Sequence, residues 1–189
     1  MSVWNNPLSK AEEEQMHPDA LAILKHFQLE RLPVEGTLYK NTYVSENKNP
    51  DGTPIGTAMI GMYTETPFSA SCFHCLKYDE IWHVYGGDPF NLILLYPDGS
   101  SKEVLMGSNP LNGEHIQFVV PAKVWQAGSL NPGGRYALFG CSMAPGFSGA
   151  IFEAADQQKL IHQYPQHKDD ILRLNLVAGE THMPNDFTQ

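Results

Sequence analysis

The pattern of apolar and polar positions divides the chain into two helical ends and a β-rich middle. Near the N-terminus Ala20, Leu21, Leu24 and Phe27 recur at helical spacing, behind Pro18, which the first turn of a helix tolerates. Just upstream, Ser9 and Glu12 have capping-box spacing, in which a hydroxyl and a carboxylate satisfy the free amides of a helix start. These features predict a helical arm packed on the outside of the main domain. From Thr37 the texture changes to short β-rich runs over 37–44, 57–64, 70–75, 80–85, 91–96, 102–105, 117–121 and 135–143. Turn signals separate them, among them Asn49-Pro50-Asp51-Gly52, Pro97-Asp98-Gly99 and Asn131-Pro132-Gly133-Gly134. Short strands at this spacing, without helices between them, predict a sandwich or barrel rather than a βαβ layout. A helical period returns over 153–163, closed ahead of Pro165, and again over 167–175. Residues 177–189 read as a loose tail or as a segment that docks on a neighbouring subunit.

The length of 189 residues fits one domain with arms, divided as 1–28, 29–165 and 166–189. Asp and Glu number 21 against 12 Lys and Arg, a formal charge of −9. That field repels phosphate backbones and anionic lipid, which argues against nucleic acid and membrane as partners. Three cysteines cannot form a full disulfide framework, and residues 1–10 lack a secretory pattern. A reducing cytoplasm is the expected location.

The stretch from Phe73 to Gly87, F-H-C-L-K-Y-D-E-I-W-H-V-Y-G-G, resembles the first cupin motif, H-x-H-x(3–4)-E-x(6)-G. His74, Glu80 and Gly87 fall in register, and Leu76 takes the place of the second histidine. Val120-Pro121-Ala122-Lys123-Val124-Trp125-Gln126 resembles the second motif, P-x-G-x(2)-H, with Lys123 for the glycine and Gln126 for the histidine. Together with Gly140-Cys141-Ser142-Met143-Ala144-Pro145-Gly146-Phe147, these strings are similar to the fifth catalogued cupin family, a domain of unknown function. The resemblance implies an all-β fold, the cupin double-stranded β-helix or jelly-roll barrel, with flanking N- and C-terminal helices and one internal pocket. It also implies a strand-exchanging homodimer and a kinship in fold with sugar-nucleotide epimerases. The sequence departs from that family at Pro33-Val34-Glu35-Gly36-Thr37, Asn41-Thr42-Tyr43, Cys75, Gly149 and Ile151, several of which the resemblance puts around the pocket mouth, and this implies an altered ligand, with Glu35 among its expected contacts.

Residues two apart on a strand share a face. The resemblance places Glu80 and Trp82 inward and His83 outward, whereas periodicity alone leaves His83 an equal claim. Cys72 and Cys75 are expected on opposite faces, as ordinary thiols. If a divalent metal is bound, His74, Glu80 and Gln126 are its ligands, with His83 or His115 completing the set. Two good ligands are too few for a catalytic ion, so no cofactor is expected. Without metal, His74 and Glu80 in a dry pocket form an acid–base pair able to move a proton beside a carbonyl. Gln126 and Trp125 would orient a substrate, and Tyr39, Tyr63, Phe73, Trp82 and Phe139 would wall it, with His83 and Glu35 in reach. The leading expectation is therefore an isomerase, epimerase or cyclase acting on a carbonyl-bearing, sugar-like or aromatic small molecule. A binding cupin without chemistry and a metal-dependent oxygenase are the alternatives.

Overall fold

A computed structural model describes residues 8–175 together with His182, Met183 and Phe187. Two antiparallel sheets face one another. The first has six strands: β1 (Glu30–Arg31), β2 (Leu38–Val44), β3 (Thr57–Tyr63), β10 (Ala137–Met143), β5 (Glu80–Gly87) and β8 (Gln117–Val120), in that spatial order. The second has five, ordered β11 (Phe152–Ala154), β4 (Ser71–Leu76), β9 (Trp125–Leu130), β6 (Phe90–Leu95) and β7 (Ser101–Met106). This is the jelly roll that the sequence implies.

Alternation along the strands sorts the side chains into an inner core and two outer layers. On β6, Phe90, Leu92 and Leu94 point inward and join Trp82, Tyr63, Phe139 and Val104 in the central core. Ile93 and Leu95 point outward and pack beneath Leu160, Tyr164, Ile171 and Leu174 of α3 (Gln157–Gln163), α4 (Lys168–Arg173) and their flanks. The opposite sheet is covered by the other arm. Met16, Ala20 and Leu24, around α2 (Pro18–Phe27), bury Leu38 and Met62. Each helical end thus hides the apolar outer face of one sheet, an area whose exposure to water would be costly.

The capping box at Ser9 opens α1 (Lys10–Gln15) as expected: Glu12 Oε2 accepts from the Ser9 amide at 2.8 Å and the Ser9 hydroxyl accepts from the Glu12 amide. Pro18 opens α2. Three strands differ from the sequence pattern: the two-residue β1, which pairs with β2, and β9 and β11. The run 125–130 forms the central strand β9, although Gln, Ala, Gly and Ser give it little β propensity. Its Gly128 leaves the space that the Tyr63 hydroxyl occupies. Residues 153 and 154 pair with β4 as β11, and the helix starts only where the Asp156 carboxylate accepts from the Gln158 and Lys159 amides at 3.1 Å. Sheet pairing at the barrel edge overrides the helical period there. Much of 177–189 lies outside the described residues. Of it, Met183 is buried, and Phe187 accepts a hydrogen bond from the Gly149 amide at 2.7 Å.

Candidate active site

His74 and Gln126 face each other across β4 and β9, and Ala154 completes the row from β11. Directly paired residues on antiparallel strands share a face, and this one looks into the barrel. From the opposite sheet, Glu80 opens β5, and Trp82 follows two residues on. Gln126 ties the sheets together. Its Nε2 donates to Glu80 Oε2 at 2.8 Å, and its Oε1 accepts from the Trp82 indole at 3.0 Å.

His74 Nδ1 lies 2.8 Å from the Cys72 carbonyl. A carbonyl only accepts, so Nδ1 carries a proton and donates it, and Nε2 is the ring nitrogen left over for a guest. The imidazole stacks on Phe152 with centroids 5.3 Å apart and planes 18° from parallel. Burial drives the Glu80 carboxyl above its ordinary range, opposed by the nearby His74 and raised further by the negative field of Glu35. Hydrogen bonds from Gln126 and the Cys141 thiol favour its ionised form but do not reverse that direction.

Glu35 is placed by local strain. Val34 adopts φ +65°, a left-handed conformation costly for a β-branched residue. The hydrogen bonds from the Glu35 amide to Pro33 and from the Gly36 amide to Leu32, with Val34 buried among Leu32 and Phe147, hold the turn. Glu35 Oε1 then accepts from the Thr37 hydroxyl at 2.7 Å, and a chain continues through Ser71 to Tyr63, whose hydroxyl donates at 2.6 Å. Ser71 pairs with Gly128 and His74 with Gln126, three residues against two. This bulge in β4 brings Ser71 and His74 onto one face.

The structure therefore gathers His74, Glu80, Gln126, Trp82, Glu35, Tyr63 and Phe139 inside, with Tyr39 packed at the junction of the central core and the cluster around Phe147. It places three expected site residues elsewhere. Phe73 and Trp125 belong to the outer layer under α3 and α4, because each is one residue out of phase with its inward neighbour, His74 or Gln126. His83 lies on the outer face of β5, bonded to the Ser142 hydroxyl at 2.9 Å and to Gln117 at 3.1 Å. Cys141, Ser71, Thr37 and Phe152 belong to the neighbourhood of the site without having been expected there. Alternation on β10 marks Cys141 once its phase is known, whereas the bulge that turns Ser71 inward leaves no sequence signal.

A resident metal is not matched by this donor set. Leu76 supplies no ligand, and the Gln126 oxygen is taken by Trp82, so its NH₂ faces Glu80. Among the described residues no group of three or more His, Cys, Asp or Glu is placed to hold an ion. All the central groups are nearly closed from water: His74 is 2% exposed, Glu80 6% and Gln126 1%.

Residues 22–155 match the model of a family described as Cupin superfamily (DUF985). A crystal structure of a protein from Shewanella oneidensis superposes with TM-score 0.74 at 30% identity, over 82% of this chain and 95% of that one. A hypothetical protein from Leishmania major gives TM-score 0.74 at 28% identity, over 82% and 98%. No curated protein sequence matches. Among the described residues no helix is long and apolar enough to cross a membrane.

Proposed function

This chain belongs to the DUF985 family of the cupin superfamily, and on that footing we propose that its barrel interior performs metal-independent acid–base chemistry on a small molecule. The observation that carries the reading is the presence, in one closed interior, of an imidazole whose Nδ1 donates to a backbone carbonyl and a carboxyl group whose burial favours its protonated form. His74 Nε2 accepts a proton from the carbon beside a carbonyl, while protonated Glu80 donates to the carbonyl oxygen. Return of a proton to a neighbouring carbon or to the opposite face completes an isomerisation or epimerisation. Interception of the enol by an internal electrophile gives a cyclisation. Substrates of this kind are carbonyl-bearing, sugar-like or aromatic molecules. Trp82, Tyr63 and Phe139 supply the aromatic wall, and a homodimer is the assembly in which we place the chain.

Closure of the site favours one other reading, a cupin that holds its ligand without transforming it. Native mass spectrometry of the purified protein identifies a retained compound, and turnover of that compound separates the two. His74→Ala and Glu80→Gln should each lower kcat by about 10²–10⁴-fold with the fold intact. Full activity in both variants removes these residues from the chemistry.

A further inference from the structure

Outside the barrel, at the rim nearest His74, lies a cleft of about 440 Å³ lined by residues that include Leu76, Lys77, Lys123, Phe152, Glu153 and His182. Three of its features bear on the buried cluster. Phe152 forms part of its lining and is also the ring stacked on His74. Leu76 pairs with Phe152 across β4 and β11, one inward position beyond the His74–Ala154 pair. Lys123 donates its amide to the Leu76 carbonyl at 2.8 Å, three residues ahead of Gln126. Cys75 and Glu153, paired on the outward phase of β4 and β11, line it too, so the cleft lies against the outer side of the strands whose inner side carries His74.

Its charge is unusual for this molecule. In a chain with 21 acidic and only 12 basic residues, two lysines line one cleft. Among the described residues neither has a carboxylate at ion-pairing distance. The Lys77 ammonium sits 5.3 Å from the centre of the Tyr78 ring, and Asp51, which feels its charge, is bonded to Thr53 and Tyr78. Glu153, on the wall shared with an adjoining cleft, is the acidic group in the lining. Lys123 adopts φ +64°, a backbone conformation that glycine enters without penalty and lysine does not. Retaining lysine there costs stability for which the packing around it gives no return, since the side chain is exposed.

We propose that this cleft is an anion-binding site: a small molecule bearing a phosphate or carboxylate docks its charge on Lys77 and Lys123.

The test uses the full chain, ¹⁵N-labelled, titrated at low ionic strength with inorganic phosphate and, separately, with citrate. Amide shifts are expected at Leu76, Lys77, Lys123 and Phe152, and the better of the two probes tells phosphate from carboxylate. K77Q and K123G should each weaken binding about tenfold, the loss of one charge-assisted contact. K123G should at the same time melt at a higher temperature than the wild type, which separates lost binding from lost folding. The proposal is overturned if neither probe moves these amides, or if both variants bind as the wild type does. Because binding is read without turnover, its failure is distinct from inactivity of the His74 and Glu80 roles.

Discussion

Gln126 reaches from one sheet to Glu80 in the other, and its orientation there is fixed by a third side chain. The Trp82 indole can only donate, so the amide oxygen of Gln126 must face it and the amide nitrogen must face the carboxylate. The position that the second cupin motif gives to a histidine thus holds a donor aimed at Glu80. This arrangement restrains a buried acid in the same interior as His74.

The Glu80 carboxyl gives the fold a distinctive pH dependence. Its protonation is favoured in the folded state over the ordinary value of 4.5, so ionisation costs stability. Below the unfolded value the group is neutral in both states and costs nothing. As pH rises through that value and on through the folded one, stability falls, and above the folded one the full penalty persists. Glu80→Gln keeps an acceptor for Gln126 without the charge. Thermal melts should show this variant more stable than the wild type at about pH 8, with the two converging toward about pH 4.

Trp82→Phe tests the bridge from its other end. The substitution keeps an aromatic ring against Phe139, 4.9 Å away, but leaves Gln126 Oε1 without its donor in the core. Urea denaturation should show a loss of about 1–3 kcal/mol, the cost of a buried unsatisfied acceptor. An unchanged midpoint would mean that the indole hydrogen bond contributes nothing.

Gly128→Ala tests the route from Glu35 to Tyr63. A methyl group there meets the Tyr63 hydroxyl and Leu92, both fully buried, so the ring must shift away from Ser71. Overpacking of this kind costs about 1–3 kcal/mol, measurable by the same denaturation.

The thiols offer a check on burial. Cys72 and Cys141 are buried and Cys75 is half-buried. Burial, with Glu153 nearby, pushes the Cys75 thiol up to about 11, and burial with Glu35 pushes Cys72 to about 12. Native alkylation followed by mass spectrometry should label Cys75 first, and slowly at neutral pH, since the thiolate is the reactive form. Rapid labelling of Cys141 would contradict the closed interior.

Much of this was legible before the structure. Alternation and turn residues marked β2 to β8 and β10, and the motif register carried the inward phase of Glu80 and Trp82. The limits have physical causes. Strand β9 is held by its two neighbours and by the space Gly128 leaves, so its own composition hides it. Phe73 and Trp125 carry the same aromatic signal as Trp82, and only the strand phase sends them under the C-terminal helices. Ser71 turns inward through a bulge, which breaks the very period used to count faces. Val34, a residue that ordinarily avoids φ above zero, gives no hint that it sets the turn presenting Glu35.

Solvent deuterium incorporation tests proton transfer at His74 and Glu80 most directly. The compound retained by the purified protein is incubated with it in D₂O and weighed by mass spectrometry. Wild-type protein should introduce deuterium at the carbon beside the carbonyl, and His74→Ala and Glu80→Gln should introduce none on the same timescale. Release of an unlabelled compound from the wild type would contradict the acid–base role and leave a barrel that only binds.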